Sequence, residues 1–281
     1  MLLSPKPELE SAAVYFAISM VLVLMAGVYQ RHFRGYGRLY NPFQRPAPLA
    51  SKDVDYLASF LVPFKDFDAK QRSRFLSRFE WLCSRMKLTF YGAIDERHKI
   101  IMYVMASATL LTMGMKRFRY LGSVHRVIIY PSKYYSKINR RHHLGEYNPR
   151  LKILVFAADT LKEGFRIPND NINLGIHEFS HALCYEMKKG SSWEARRFRY
   201  GLRKLDEFLN DQTRIDELIA DEFFRGYGVR NTYEFFAVLS ETFIESPNDF
   251  YNKHPYLFEV VKAMYNFNPL VPNWSERGVA K

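Results

Sequence analysis

The stretch Asn173-Leu174-Gly175-Ile176-His177-Glu178-Phe179-Ser180-His181 sets two histidines four residues apart, with a glutamate directly after the first. On a helix, residues four apart project from one face, so the two imidazoles can share one metal ion. The apolar positions of the lead-in suit a buried helix, which the sequence predicts from about Asn173 to Lys188, stopped by Gly190. Glu178 lies where its carboxylate can reach a metal-bound water. Zinc brings such a water's pKa to about 7. Those five residues therefore point to metal-assisted hydrolysis, with Glu178 as general base.

A catalytic zinc takes three protein ligands and keeps one position open. No third histidine follows at a short spacing, so a carboxylate on a later helix is the natural supply. Three places offer one: Glu217 with Asp221, Glu234, and Glu241. Glu234 is also the third residue after Asn231, where it could serve a helix cap instead. Glu241 lies two turns further on the same face, placed either to support a metal ligand or to sit as a surface charge. Glu217 and Asp221 belong to an acidic face of the kind that is usually solvated.

Outward from the motif, the second half of the chain reads as helical. Ser191 to Glu194 has capping-box spacing for the next helix. Arg214 to Phe224 predicts another, and Asn231 to the residue before Pro247 a fourth. The first half holds the strand signals: Val124 to Tyr130, dense in β-branched residues and stopped by Pro131, and Lys152 to Phe156. Between them lies a basic exposed loop or sheet edge with Arg140-Arg141-His142-His143. Phe75, Phe79, Leu82 and Met86 mark an amphipathic helix beginning near Asp68. Ile100 to Met115 is apolar but short and holds Ser107, Thr109 and Thr112, so it reads as a buried core helix. The fold class is α+β, a small sheet with a mostly helical C-terminal half.

Near the amino terminus, residues 12–29 carry no formal charge over eighteen positions, with Tyr15 and Tyr29 near the ends. About 20 apolar residues cross a bilayer, and the range begins near 17. A cleaved signal peptide would want a basic start, whereas Lys6 is offset here by Glu8 and Glu10. The sequence thus predicts one transmembrane helix. It divides the chain into a short N-terminus (1–11) on the far side, the span (12–29), a juxtamembrane linker (30–60) and a zinc peptidase domain (61–281). Arg31, Arg34, Arg38 and Arg45 follow the span, which by the positive-inside rule puts the body in the cytoplasm, on a single-pass plasma-membrane anchor. The two cysteines, Cys83 and Cys184, lack metal-ligand spacing and suit a reducing compartment. The net charge of +12 concentrates between Lys116 and Arg166. No nucleic-acid signature accompanies it, which leaves a solvated basic surface or a membrane-facing one.

Gly175-Ile176-His177-Glu178-Phe179-Ser180-His181 and Tyr233-Glu234-Phe235-Phe236-Ala237-Val238-Leu239-Ser240-Glu241 together resemble the Mlc titration factor A family of zinc peptidases. That family is similar in turn to the catalytic domain of lethal-factor-type peptidases. The likeness runs from about Phe64 to Phe267, and Val127-Ile128-Ile129-Tyr130-Pro131 matches the family's strand. It implies a zincin-like fold, one zinc per chain held by His177, His181 and Glu234, and Glu178 as base. It further implies Tyr227 as the hydroxyl that meets the oxyanion. The family's Asp seven residues after the first His is Cys184 here, and its members lack an anchor. Peptide or protein substrates follow from the resemblance. So does an alternative role as a tethered binding protein that sequesters a transcriptional regulator.

Overall fold

The computed structural model describes residues 7–33, 46–116, 119–120, 122–136 and 140–270. In chain order the first half comprises α1 (Pro7–Phe33), α2 (Ser51–Phe60), α3 (Val62–Asp66), α4 (Ala69–Arg85), β1 (Leu88–Phe90) and α5 (Arg97–Leu110). Then come β2 (Arg126–Tyr130), β3 (Tyr134–Ser136), β4 (Arg141–His143), β5 (Gly145–Asn148) and β6 (Ile153–Ala157). The remainder is helical: α6 (Ala158–Arg166), α7 (Leu174–Lys189), α8 (Trp193–Leu209), α9 (Gln212–Ala220), α10 (Thr232–Glu245), α11 (Pro247–Lys253) and α12 (Pro255–Tyr265). A small sheet beside a helical half is the predicted α+β arrangement.

β2 buries Val127 and Ile129 in alternation, and β6 does the same with Leu154 and Phe156. Such alternation fits strands that press one face onto helices. The two run parallel, pairing Val127 with Leu154 and Ile129 with Phe156. β1 adds parallel to β2, and β5 adds antiparallel to β6, giving the order β1-β2-β6-β5. β5 is thus an edge strand. β3 and β4 form a separate antiparallel hairpin within the basic segment 132–150. Of the two readings, exposed loop or sheet edge, the described residues show the edge, with a hairpin beside it.

α4 starts on a reciprocal capping box between Asp68 and Gln71 and buries Phe75, Phe79 and Leu82. α5 is buried from Met102 to Leu110. Its hydroxyls are satisfied within the helix, Ser107 Oγ donating to Tyr103 O and Thr109 Oγ1 to Met105 O. A core helix can therefore hold them without loss. α7 packs on α5 so closely that glycine is required at the crossing. A Cβ on Gly175 would stand 2.1 Å from Ser107 Oγ. Behind α7, α10 packs on α8 and α12 through aromatic contacts, with Phe198 edge-on to Phe236 at 5.2 Å.

Four expectations change. Helical structure begins at Ser51, inside residues 30–60, and α2 and α3 seat Leu57 and Phe64 in the core. α9 stops at Ala220, not Phe224, because Glu222 turns left-handed (φ 52°) and Phe224 tucks against Phe250. α8 is capped by Ser192, whose side chain accepts from Ala195 N, rather than from Ser191. At the amino terminus α1 exposes apolar side chains including Val14, Leu22 and Met25. Its described side chains run unbroken only over 14–27. Among the described residues no helix is long and apolar enough to cross a membrane, so the structure does not support the expected span.

Gly175→Ala is expected to destabilise the protein by about 1–3 kcal/mol through overpacking. Ser107→Ala in the same chain should recover part of that loss. Urea unfolding of the four members of this cycle reads both. An unchanged midpoint in Gly175→Ala would contradict the close crossing.

Candidate metal centre

Asn173 opens α7, its side chain accepting from Ile176 N at 3.1 Å. One turn on, His177 and His181 present their Nε2 atoms 3.2 Å apart. α10 opens on Asn231, whose Oδ1 accepts from Tyr233 N and Glu234 N. That asparagine caps the helix, which leaves the Glu234 carboxylate for other partners. It turns to the histidines, Oε2 at 3.2 Å from His177 Nε2 and Oε1 at 3.5 Å from His181 Nε2. Tetrahedral coordination at ~2.0–2.2 Å would set ligand atoms about 3.3–3.6 Å apart. The Nε2–Nε2 separation is close to that spacing, each Glu234 oxygen faces one imidazole at a similar distance, and the three residues are able to hold a metal ion.

Glu241 is 1% exposed and stands behind His177. His177 Nδ1–H donates to its Oε1 at 2.7 Å, which fixes the tautomer and turns Nε2 toward the shared point. Oε2 accepts from Asn173 N at 2.7 Å, and Arg225 Nη2 also donates to Oε1. The second-helix carboxylate is thus tied at once to the start of α7, to a candidate ligand and to a cation. The sequence marks Asn173 only as a helix start and Arg225 not at all. A helix-capping Asn and an Arg outside any motif carry no pattern that announces a second partner.

Burial disfavours the charged form of His177, yet its hydrogen bonds to Glu234 and Glu241 outweigh this and hold it up to about 10. Burial and the neighbouring His177 push His181 down to about 4, keeping it a neutral donor. The bond to His177 holds Glu234 below the usual carboxylate range. Glu178 is buried, which pushes its carboxyl up to about 7. It lies against β5, where Gly145 leaves it room: a Cβ there would stand 3.0 Å from Glu178 Oε1 and 2.6 Å from Leu174 Cδ1.

A cleft of about 510 Å³ opens beside these groups. His177, Glu178 and Glu241 line it on one side, and Lys133, Arg141, His142 and His143 of the hairpin region on the other. His142 and His143 face this cleft without joining the metal-binding cluster. Glu217 is exposed on α9, and Asp221 pairs with His254 at 2.8 Å and Lys253 at 3.3 Å, so neither is brought to the centre. Cys184 is buried in the core, where burial pushes its thiol up. Tyr227 falls in a short 3-10 turn, Gly226–Arg230, that packs on α10; its side chain lies outside the described residues.

Two imidazoles one helical turn apart, a carboxylate from a second helix and a buried glutamate beside a cleft define a metallopeptidase-type site. The chain belongs to the glucose-regulated metallo-peptidase M90 family, whose sequence profile matches residues 41–266. This is the Mlc titration factor A family that the two motifs resemble. It is also similar to an uncharacterized protein of Synechocystis sp., 24% identical over 255 residues that cover 82% of this chain and 88% of that one.

Replacing Glu241 with Ala should weaken metal affinity by about 10–100-fold, because His177 loses the partner that orients it. Competition with a chromophoric chelator measures this. Equal affinity in wild type and variant would mean that Glu241 only packs.

Proposed function

We propose that this chain hydrolyses peptide bonds at a single zinc held by His177, His181 and Glu234. The observation that carries the reading is the convergence of these side chains, the two Nε2 atoms 3.2 Å apart and one Glu234 oxygen facing each at 3.2 and 3.5 Å, near the buried Glu178 and an open cleft. When bound, zinc supplies Lewis acidity toward a carbonyl and lowers the pKa of a coordinated water.

The protein's own groups do the rest. Glu178 accepts the proton of the attacking water and delivers it to the leaving amine. Its pKa near 7 suits both halves of that exchange. The buried Glu241, with Asn173 and Arg225, holds His177 in one orientation through the cycle. Tyr227, two residues beyond Arg225, is assigned as the hydroxyl that donates to the developing oxyanion. The Lys133 and Arg141 side of the cleft meets the substrate as it enters.

The body is proposed to work at a membrane, its catalytic domain on the cytoplasmic side. What supports this is the charge-free stretch 12–29, its exposed apolar side chains on α1, and the arginines that follow it.

Glu178→Gln should keep zinc and lose about 10²–10⁴-fold in cleavage of a quenched fluorescent peptide library. Zinc content and turnover are measured on the same preparation. A variant that cleaves as fast as wild type would remove Glu178 from the mechanism.

A further inference from the structure

A second cavity, of about 390 Å³, shares Gly164 with the cleft and is lined by Asn173. Its volume falls in the ~300–1,000 Å³ range of small-molecule sites. The walls are largely apolar, with Phe60, Phe67, Leu110, Phe165, Ile244 and Leu270 among them. Its charged lining is Asp66 and Glu245, and among the described residues no Lys, Arg or His lines it. In a chain of net charge +12 this is a local reversal of sign.

Glu245 sets the chemistry. Its Oε1 accepts from Asn173 Nδ2 at 3.0 Å and the backbone N–H of Asn171 also favours the charged carboxylate, while Oε2 is buried with no well-formed hydrogen bond among the described residues. An unmet buried acceptor of this kind is unfavourable until a donor arrives. Burial pushes the carboxyl up to about 8, so near neutral pH it holds a proton that an entering ammonium displaces as the ion pair forms. An anion would find no cation in this lining.

The same asparagine leads to the metal centre. Asn173 holds Glu245 through its side chain and Glu241 through its backbone N–H at 2.7 Å, and Glu241 holds His177 Nδ1 at 2.7 Å. We propose that this cavity is a second binding site, taking a small primary amine with an apolar body, and that Asn173 ties its occupancy to the metal centre. An ammonium on Glu245 competes with the Asn173 amide, and any shift of Asn173 is passed to Glu241 and so to His177. The binding half of this inference does not depend on peptide hydrolysis; only the coupling half rests on the metal reading.

The test is calorimetric titration of the zinc-loaded full chain with phenethylamine, against 2-phenylethanol and 3-phenylpropionate as matched probes. The amine should bind at least about 10-fold more tightly than either, the scale of one charge-assisted hydrogen bond. Glu245→Gln should lose about that factor. Val62→Trp, at a wall residue that is 42% exposed, should block entry without disturbing the core. Glu234→Ala should leave amine binding intact. Equal affinity for amine and alcohol, or binding that survives Glu245→Gln, would overturn the site. Loss of binding in Glu234→Ala would show the amine sitting on the metal instead. For the coupling, the visible spectrum of cobalt-substituted protein should shift on saturation with amine in wild type and not in Glu245→Gln. A spectrum that never moves would overturn the link through Asn173.

Discussion

The buried carboxylate of Glu241 is the interaction on which this site depends. It comes from α10, yet it is bonded to the first backbone amide of α7, to the imidazole of His177 and to the guanidinium of Arg225. A carboxylate 1% exposed is stable only with such partners, since burying an unpaired charge is heavily unfavourable. Its partners are therefore held as firmly as it is. Two helices far apart in the chain are locked in register, and that register brings Glu234 opposite His177 and His181. Backbone amides at the α7 N-terminus add a favourable field for negative charge. The centre is thus assembled by helix packing and one polar knot, not by its own three donors.

Close approach of backbone is the second constraint. Gly175 lets α7 sit against α5, and Gly145 lets the edge strand β5 lie over Glu178. Together they press the glutamate between helix and strand, which accounts for its burial and its raised pKa. Lys133, Arg141, His142 and His143 border the same cleft, where Glu163, Asp170, Glu178 and Glu241 also stand, so cations and acids meet across it.

Much of this was legible before any coordinates. α7, α10, β2 and β6 announce themselves because their apolar periods agree with their boundary residues: Asn173 and Gly190 around α7, Asn231 before α10 and Pro131 after β2. Glu234 stood between two local roles that a cap spacing cannot separate; the structure separates them by giving the cap to Asn231. α2 and α3 escaped notice because short helices with charged, half-exposed sequences lack a clear period, although Leu57 and Phe64 are wholly buried. The end of α9 was missed because Phe224 continues the apolar pattern while its backbone has already turned away. Arg225 and the second task of Asn173 were invisible, since both arise from contacts between residues many positions apart.

The central claim is that His177, His181 and Glu234 share one zinc. Its most direct measurement is metal content, by mass spectrometry, of purified full-length chain beside Glu234→Ala. The account predicts about one zinc per chain in the wild type. It predicts a loss of most of that zinc in the variant, with the fold retained by circular dichroism. Wild-type protein that binds no zinc after incubation with the metal, or a variant that holds it equally well, would contradict it.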